Sequence, residues 1–330
     1  LYTIRGTSYR DTKSWYKSVD AMRSYKPKFL ISCHGPYLTG QQVIEERLII
    51  YRDAIQYIHD YAIRGANIGK TPDELVEEFE YPSFFLENYD LQEKYGKVSW
   101  SIRNVYNGYL GFFDGKAVNL EPLSAQKRAK HIFELIGTKE KLITEINKAN
   151  STQNYQWAAE LSDVGLLNFP NDNEIKNLYS LALENLSLVE KNPIARNYYL
   201  SEAYELSRKI KPSLEYTVSA EQAKNIPLDT FFDAMGPRLN AEKAKNKFIK
   251  VGFNITDSNE KFGVIVRNQI AEISNYYDDS FDVIISVDSN TWKGIVLKSE
   301  NAAQAIASGK LKIEGESLKF LQFSSLFNND

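Results

Sequence analysis

The stretch "FIKVGFNITDSNEKFGVIVRN" (residues 248–268) alternates apolar and other residues twice: Val251, Phe253, Ile255, then Phe262, Val264, Val266. A period of two places each set on one face of a strand, and the polar "DSNE" between them suits a hairpin turn. "QIAEIS" (269–274) follows after "RNQ" as a third strand, and "FDVIISVD" (281–288) repeats the alternation at Val283, Ile285 and Val287. Helical patterns flank the strands, "LDTFFDAMGPRL" before them and "NAAQAIAS" and "SLKFLQFSSLF" after. The spacing therefore predicts an α+β domain over 216–330, a common domain size.

Upstream of this region the period changes to that of a helix. Ile44, Leu48, Tyr51, Ile55, Ile58 and Ala62 recur at intervals of three and four, a long amphipathic stripe that Gly69 stops. "TPDE" restarts a helix, with Thr71 as cap, Pro72 in the first turn and Glu74 three residues after the cap. Val98, Ile102, Val105, Tyr109 and Phe112 form another stripe, closed by Asp114-Gly115. Two shorter helices follow, parted by Gly137-Thr138, and then three more between Tyr155 and Ile210, punctuated by Pro170 and Pro193. The series is similar to tetratricopeptide-like hairpins. A helical domain over 41–215 is expected.

Residues 1–40 read differently again. "LYTIRG" is strand-like, Asp11 opens a helix with Trp15, Val19 and Met22 on one side, and "KPKFLISCHGPYLTG" (26–40) reads as a short buried strand ending at His34. Forty such residues cannot close a core alone. Because Leu1 opens inside a strand pattern, a preceding partner segment is expected.

Composition narrows the function classes. The chain has 330 residues, 43% of them apolar and 25% charged, the profile of a soluble globular protein. A net charge of −3 gives no footprint for nucleic acid or anionic lipid. No apolar run reaches the length of a membrane span. One cysteine excludes an internal disulfide framework and a cysteine-based zinc site, and three histidines cannot build a histidine cluster of their own. Cys33 reads as a small buried residue, His59 as a packed or interface histidine, and His131 as solvated.

The order of "LYTIRGTSYRD", "LISCHGPYLTG", "YRDAIQYIHDYAIRGANIGKTPDEL", "VYNGYLGFFDG" and "YQWAAEL" resembles the alkyl sulfatases of the metallo-β-lactamase superfamily, and "LDTFFDAMGPRLNAEKA" with "IASGKLKIEGE" is similar to their sterol-carrier-protein-like last domain. The resemblance implies a remnant of the catalytic domain over 1–40, a helical dimerisation domain over 41–215 and a sterol-carrier-like domain over 216–330. It implies a homodimer through the helical region, a missing N-terminal catalytic half with most ligands of two zinc ions, and hydrolysis of alkyl sulfate esters only in the intact protein.

Residue by residue, His34 falls on the last metal-ligand histidine, and neutral imidazole at a strand end suits zinc. Arg5 and Arg10 fall where sulfate is held, and guanidinium forks match the oxygens of a tetrahedral anion. Trp100 departs from the pattern, since the resemblance implies a histidine there and indole cannot exchange a proton. That departure leaves open a metallo-β-lactamase-fold hydrolase with another substrate. A non-enzymatic module is the other alternative, with residues Phe231, Phe232, Phe320, Phe323 and Phe327 lining a tunnel for an alkyl chain, although such a stripe is by default a core.

Overall fold

The computed structural model describes Tyr2, Ile4, residues 9–208 and residues 219–327. The chain divides into two compact units, residues 1–212 and 213–330.

In the first unit, α1 (Thr12–Ser24) starts where expected, with the Asp11 carboxylate accepting from the backbone N–H of Lys13 and Ser14. Its buried face is Thr12, Tyr16 and Val19, while Met22 is 40% exposed. Residues 26–40 correct the reading of a buried strand. They form a small exposed hairpin in which β1 (Phe29–Leu30) pairs with β2 (Leu38–Thr39), with Phe29 70% and Ile31 83% exposed. An apolar run this short buries only where another element covers it, and here nothing among the described residues covers Phe29 or Ile31. Cys33, read as buried, is exposed.

The 27 residues of α2 (Gln41–Asn67) carry the long stripe as predicted: Ile44, Leu48, Ile55, Ile58 and Ala62 are buried, and Gly69 follows at φ +82°. Only Tyr51 turns outward from it. Tyr16 and Val19 of α1 join Ile44, Leu48 and Ile55 in one core, so the helix before residue 40 and the helix after it pack as one body.

Next come α3 (Pro72–Glu77), α4 (Ser83–Glu87) and α5 (Val98–Leu110), whose Leu75, Phe85, Ile102, Val105 and Tyr106 close a second core on α2. The α3 capping box is complete, because Thr71 Oγ1 accepts from the Glu74 N–H while Glu74 Oε2 accepts from the Thr71 N–H. Helix α5 ends at Gly111 (φ +75°) rather than at Asp114-Gly115, so Phe112, placed on its stripe by spacing, lies beyond the helix and is 85% exposed.

The array then continues with α6 (Ala125–Ile136), α7 (Lys139–Ser151), α8 (Tyr155–Asn168), α9 (Asn173–Val189) and α10 (Pro193–Arg208). From α7 onward each packs on the next, around Leu142, Ile146, Leu161, Leu183 and Ala203. Thr138, Asp172 and Asn192 cap α7, α9 and α10 with side-chain oxygens. No helix among the described residues is long and apolar enough to cross a membrane.

The capping box yields the first prediction. Hydrogen bonds from the Thr71 N–H, the Thr71 hydroxyl and Lys116 hold the Glu74 carboxyl down to about 2. A carboxyl lowered in the folded state binds fewer protons there than in the unfolded chain. Its contribution is therefore complete above its ordinary value of 4.5 and is lost as pH falls toward about 2. An NMR titration of the Glu74 side chain should show a midpoint near 2 that Thr71→Ala moves upward.

In the second unit, α11 (Ala220–Lys224) and α12 (Leu228–Asp233) precede a five-stranded sheet. Its strands are β3 (Ile249–Ile255), β4 (Lys261–Arg267), β5 (Ile270–Ser274), β6 (Val283–Val287) and β7 (Leu311–Gly315), in the order β5-β4-β3-β6-β7. Helix α13 (Ser289–Val296) and α14 (Ala302–Ala307) lie between β6 and β7, and α15 (Ser317–Ser325) follows β7. Only the β3–β6 pair is parallel.

The quoted stretch behaves as read. Val251 pairs with Val264 on one side and Val283 on the other, Phe253 with Phe262 and Ile285, and all nine alternating residues are buried. Asn268 and Gln269, both at positive φ, make the tight two-residue turn between β4 and β5. Gly252 and Gly263 face each other across β3 and β4, and a Cβ on Gly252 would stand 2.8 Å from the Tyr277 ring. Gly252 thus lets Tyr277 lie close over the sheet, while Gly263 leaves room for the Tyr276 carbonyl and the Phe281 ring. Strand β7 and helix α13 carried no alternation or stripe strong enough to be read from sequence. The five phenylalanines divide as the default reading has it: Phe231, Phe232, Phe320 and Phe323 sit in the core with Phe253 and Trp292, and Phe327 packs against it.

Candidate functional site

Arg10 lies exposed just before α1, with its guanidinium 5.8 Å from the centroid of the Trp15 ring. Asp11 is not its local partner in the sense of a simple ion pair. That carboxylate is committed to the helix start, accepting from Ser14 Oγ at 2.6 Å and from two backbone N–H groups. These bonds, Ser14 foremost, outweigh partial desolvation and hold Asp11 below the usual carboxylate range, with His59 contributing. Tyr51 stands next to the same edge. Desolvation pushes its hydroxyl up, against a hydrogen bond from Trp15 and the charge of Arg10.

On the other side of Arg10, the Tyr9 ring lies against Gly108 of α5, where an added Cβ would approach it to 2.2 Å. The missing side chain brings the start of α1 onto the last turn of α5, and so onto Tyr109.

Tyr109 ends a chain of hydrogen bonds. Asp60 Oδ1 is 2.7 Å from His59 Nδ1, and His59 Nε2 is 2.8 Å from the Tyr109 hydroxyl. Gln56 donates to the other Asp60 oxygen at 3.0 Å. His59 is 8% exposed, and the rings of Tyr16 and Tyr109 flank it edge-on at 5.8 and 5.6 Å. Against the desolvation that pushes it up, hydrogen bonds from His59 and Gln56 keep Asp60 low. Desolvation, with the charges of Tyr9 and Asp11 behind it, pushes Tyr109 up, so its hydroxyl keeps its proton. A groove of about 420 Å³ along α2 reaches Asp60, between Arg52, Gln56, Arg64 and Phe84. The exposed Arg10 guanidinium can hold an anion, and the Asp60–His59–Tyr109 chain fixes the orientation of the Tyr109 hydroxyl.

The other residues singled out from sequence divide. Arg5 lies outside the described residues. His34 is exposed in the turn after β1, and its carbonyl accepts from Ser32 Oγ. Among the described residues no three His, Cys, Asp or Glu side chains come together as a metal site, so the residues present do not by themselves fit a metal ion. His131 is solvated as read and pairs with Glu134 at 3.0 Å. His59 is packed as read, but its link to Tyr109 was missed. Fifty residues separate the two, and the only local signal was the adjacent Asp60.

Comparison with known proteins places these elements. Residues 71–209 match the family model described as alkyl sulfatase dimerisation, and residues 216–330 the one described as alkyl sulfatase C-terminal. A linear primary-alkylsulfatase of Pseudomonas sp. (strain ATCC 19151) is 30% identical over 99% of this chain and 64% of its own length. The alkyl/aryl-sulfatase BDS1 of Saccharomyces cerevisiae is 29% identical over 100% of this chain and 51% of its own length. The solved structure of the stereoselective inverting sec-alkylsulfatase Pisa1 of Pseudomonas sp. superposes with a TM-score of 0.93 at 25% identity, covering 98% of this chain and 52% of that one. The chain thus spans about half to two thirds of the length of these relatives.

Proposed function

Since this chain belongs to the alkyl sulfatase family through its dimerisation and C-terminal domains, we propose that it forms the sulfate-facing edge, the dimerisation domain and the C-terminal domain of a zinc-dependent hydrolase of alkyl sulfate esters. The observation that carries the proposal is the run of two alkyl sulfatase family matches, in order, over residues 71–209 and 216–330.

In this reading Arg10 binds the sulfate group, with Arg5 as its partner. The exposed guanidinium, propped on Trp15 and not engaged by Asp11, is consistent with that role. His34 would supply one ligand of the zinc pair that the family resemblance implies, the remaining ligands not being among the described residues, and zinc bound there would serve to activate a water. The helical array joins two copies. The aromatic side chains of the second unit fill one another's contacts, which favours a structural role for them over an alkyl tunnel.

Sulfate release from dodecyl sulfate, measured on the protein expressed from its complete reading frame, tests the proposal. Turnover that a chelator abolishes is expected, and its absence with zinc present overturns the reading. Arg10→Ala should raise KM about tenfold, the loss of one charge-assisted contact, with a smaller effect on kcat. An unchanged KM removes Arg10 from the sulfate site.

A further inference from the structure

Resting on the reading that the helical array joins two copies, we propose that residues 111–124, between α5 and α6, form an arm that packs against its equivalent in a second copy of this chain. The connection is long for a compact domain and contains only one short helical turn, Ala117–Asn119. None of its residues is buried. Leu110 at the end of α5, and Phe112, Val118, Leu120 and Leu123 beyond it, are each more than half exposed.

The polar groups of the arm bond it into one conformation. Gly111 and Gly115, at φ +75° and +85°, turn the chain on either side of Phe112 to Asp114. Asp114 Oδ1 accepts from the Lys116 N–H at 3.0 Å, and Oδ2 accepts from Asn119 Nδ2 at 2.6 Å. These two bonds hold the Asp114 carboxyl below the usual carboxylate range. Lys116 Nζ in turn reaches Glu74 Oε1, in the capping box of α3, at 3.2 Å. The polar side chains are thus spent on the arm itself and on α3, while the apolar ones stand in water. Water selects the reverse, so the arrangement is that of a surface set for an apolar partner.

A second copy is the occupant that the observations favour. The residues matched by the dimerisation model, 71–209, contain the whole arm. In a two-fold interface one patch meets itself, and an apolar patch is complementary to its own image. Two of the arm's three charged residues, Asp114 and Lys116, are already bonded within the copy and bring no repulsion to such a contact. The five side chains expose about 500 Å² of apolar surface per copy, at about 150–200 Å² for a fully exposed side chain of this size. That is more than half of the roughly 800 Å² that each partner buries in a stable dimer.

The test is sedimentation velocity of the protein expressed from its complete reading frame, wild type against the double variant Phe112→Asp with Leu120→Asp. The wild type should sediment as a dimer at micromolar concentration. The double variant should show a dimer dissociation constant raised at least about 100-fold, with its helical circular dichroism unchanged. A double variant that dimerises as tightly as the wild type overturns the arm and leaves the dimer to another face, which is also the result expected if another part of the complete protein covers the arm. A monomeric wild type removes the dimer reading, and the arm falls with it. Should the aspartate variant fail to fold, Phe112→Ser with Leu120→Ser adds no charge and decides in the same way, with a rise of at least about 10-fold expected.

Discussion

Truncating Phe253 to alanine is expected to destabilise the second unit by about 3–5 kcal/mol. Phe253 is fully buried in the central strand β3. Its ring lies 4.5 Å from Trp292, 5.1 Å from Phe232 and 6.1 Å from Phe323, centroid to centroid. Those neighbours come from α13, α12 and α15, so the cavity left by alanine opens where three helices meet the sheet. Regular strand and helix backbones on all sides limit collapse into it, which places the cost toward the upper end. Trp292 is the one tryptophan in this unit, so denaturant unfolding followed by its fluorescence, with the other three tryptophans replaced by phenylalanine, reads the effect directly. Phe253→Leu should cost less than half as much. A shift below 1 kcal/mol for the alanine variant would show that the aromatic cluster is loosely packed.

The second large effect is expected at Asn192. This side chain is fully buried and uses both ends of its amide: Oδ1 accepts from the N–H groups of Ile194 and Ala195, while Nδ2 donates to the Glu93 carbonyl at 2.8 Å and the Gly96 carbonyl at 3.2 Å. One residue thereby caps α10 and holds the loop that leads into α5. Beside it Lys97 and Glu190 pair at 2.6 Å, tying the same two segments. Asn192→Asp keeps the cap but turns an acceptor toward two carbonyls, and a cost of about 2–4 kcal/mol is expected. Asn192→Ser should cost less, since it keeps a cap without creating repulsion. Thermal unfolding of the first unit measures both, and an aspartate variant as stable as the parent would mean that the loop has moved off the amide.

Because α5 carries Tyr109, the consequence of Asn192→Asp extends to the candidate site: loosening the entry to α5 loosens its register against α1 and α2. Asn192 stands out in sequence as a cap before Pro193. Its second role does not, since Glu93 and Gly96 lie nearly a hundred residues away.

What was legible in the chain followed from local rules. The stripe of α2, the capping box at Thr71 and the alternation of β3, β4 and β6 were visible because each residue's environment repeats with the period of its own backbone. The family resemblance was visible for a related reason, as ordered segments survive where folding constrains them. Burial of the 29–31 run failed as an expectation because burial depends on what covers a strand, and a two-residue ladder has little to cover it. The reach of α5 was overestimated because Phe112 keeps the helical spacing after Gly111 has already ended the helix.

The sequence by itself determined most of the elements, several of their caps and turns, and the division between a helical region and an α+β region, because these depend on residues a few positions apart. Only the tertiary structure decided that Tyr9 meets Gly108, that Tyr109 closes a hydrogen-bonded chain with His59 and Asp60, and that His34 stands exposed and away from any cluster of ligands among the described residues. The physical reason is that side-chain contacts across fifty or a hundred residues are set by how helices dock. Docking is fixed by many small packing energies summed over whole faces, and no single spacing along the chain records that sum.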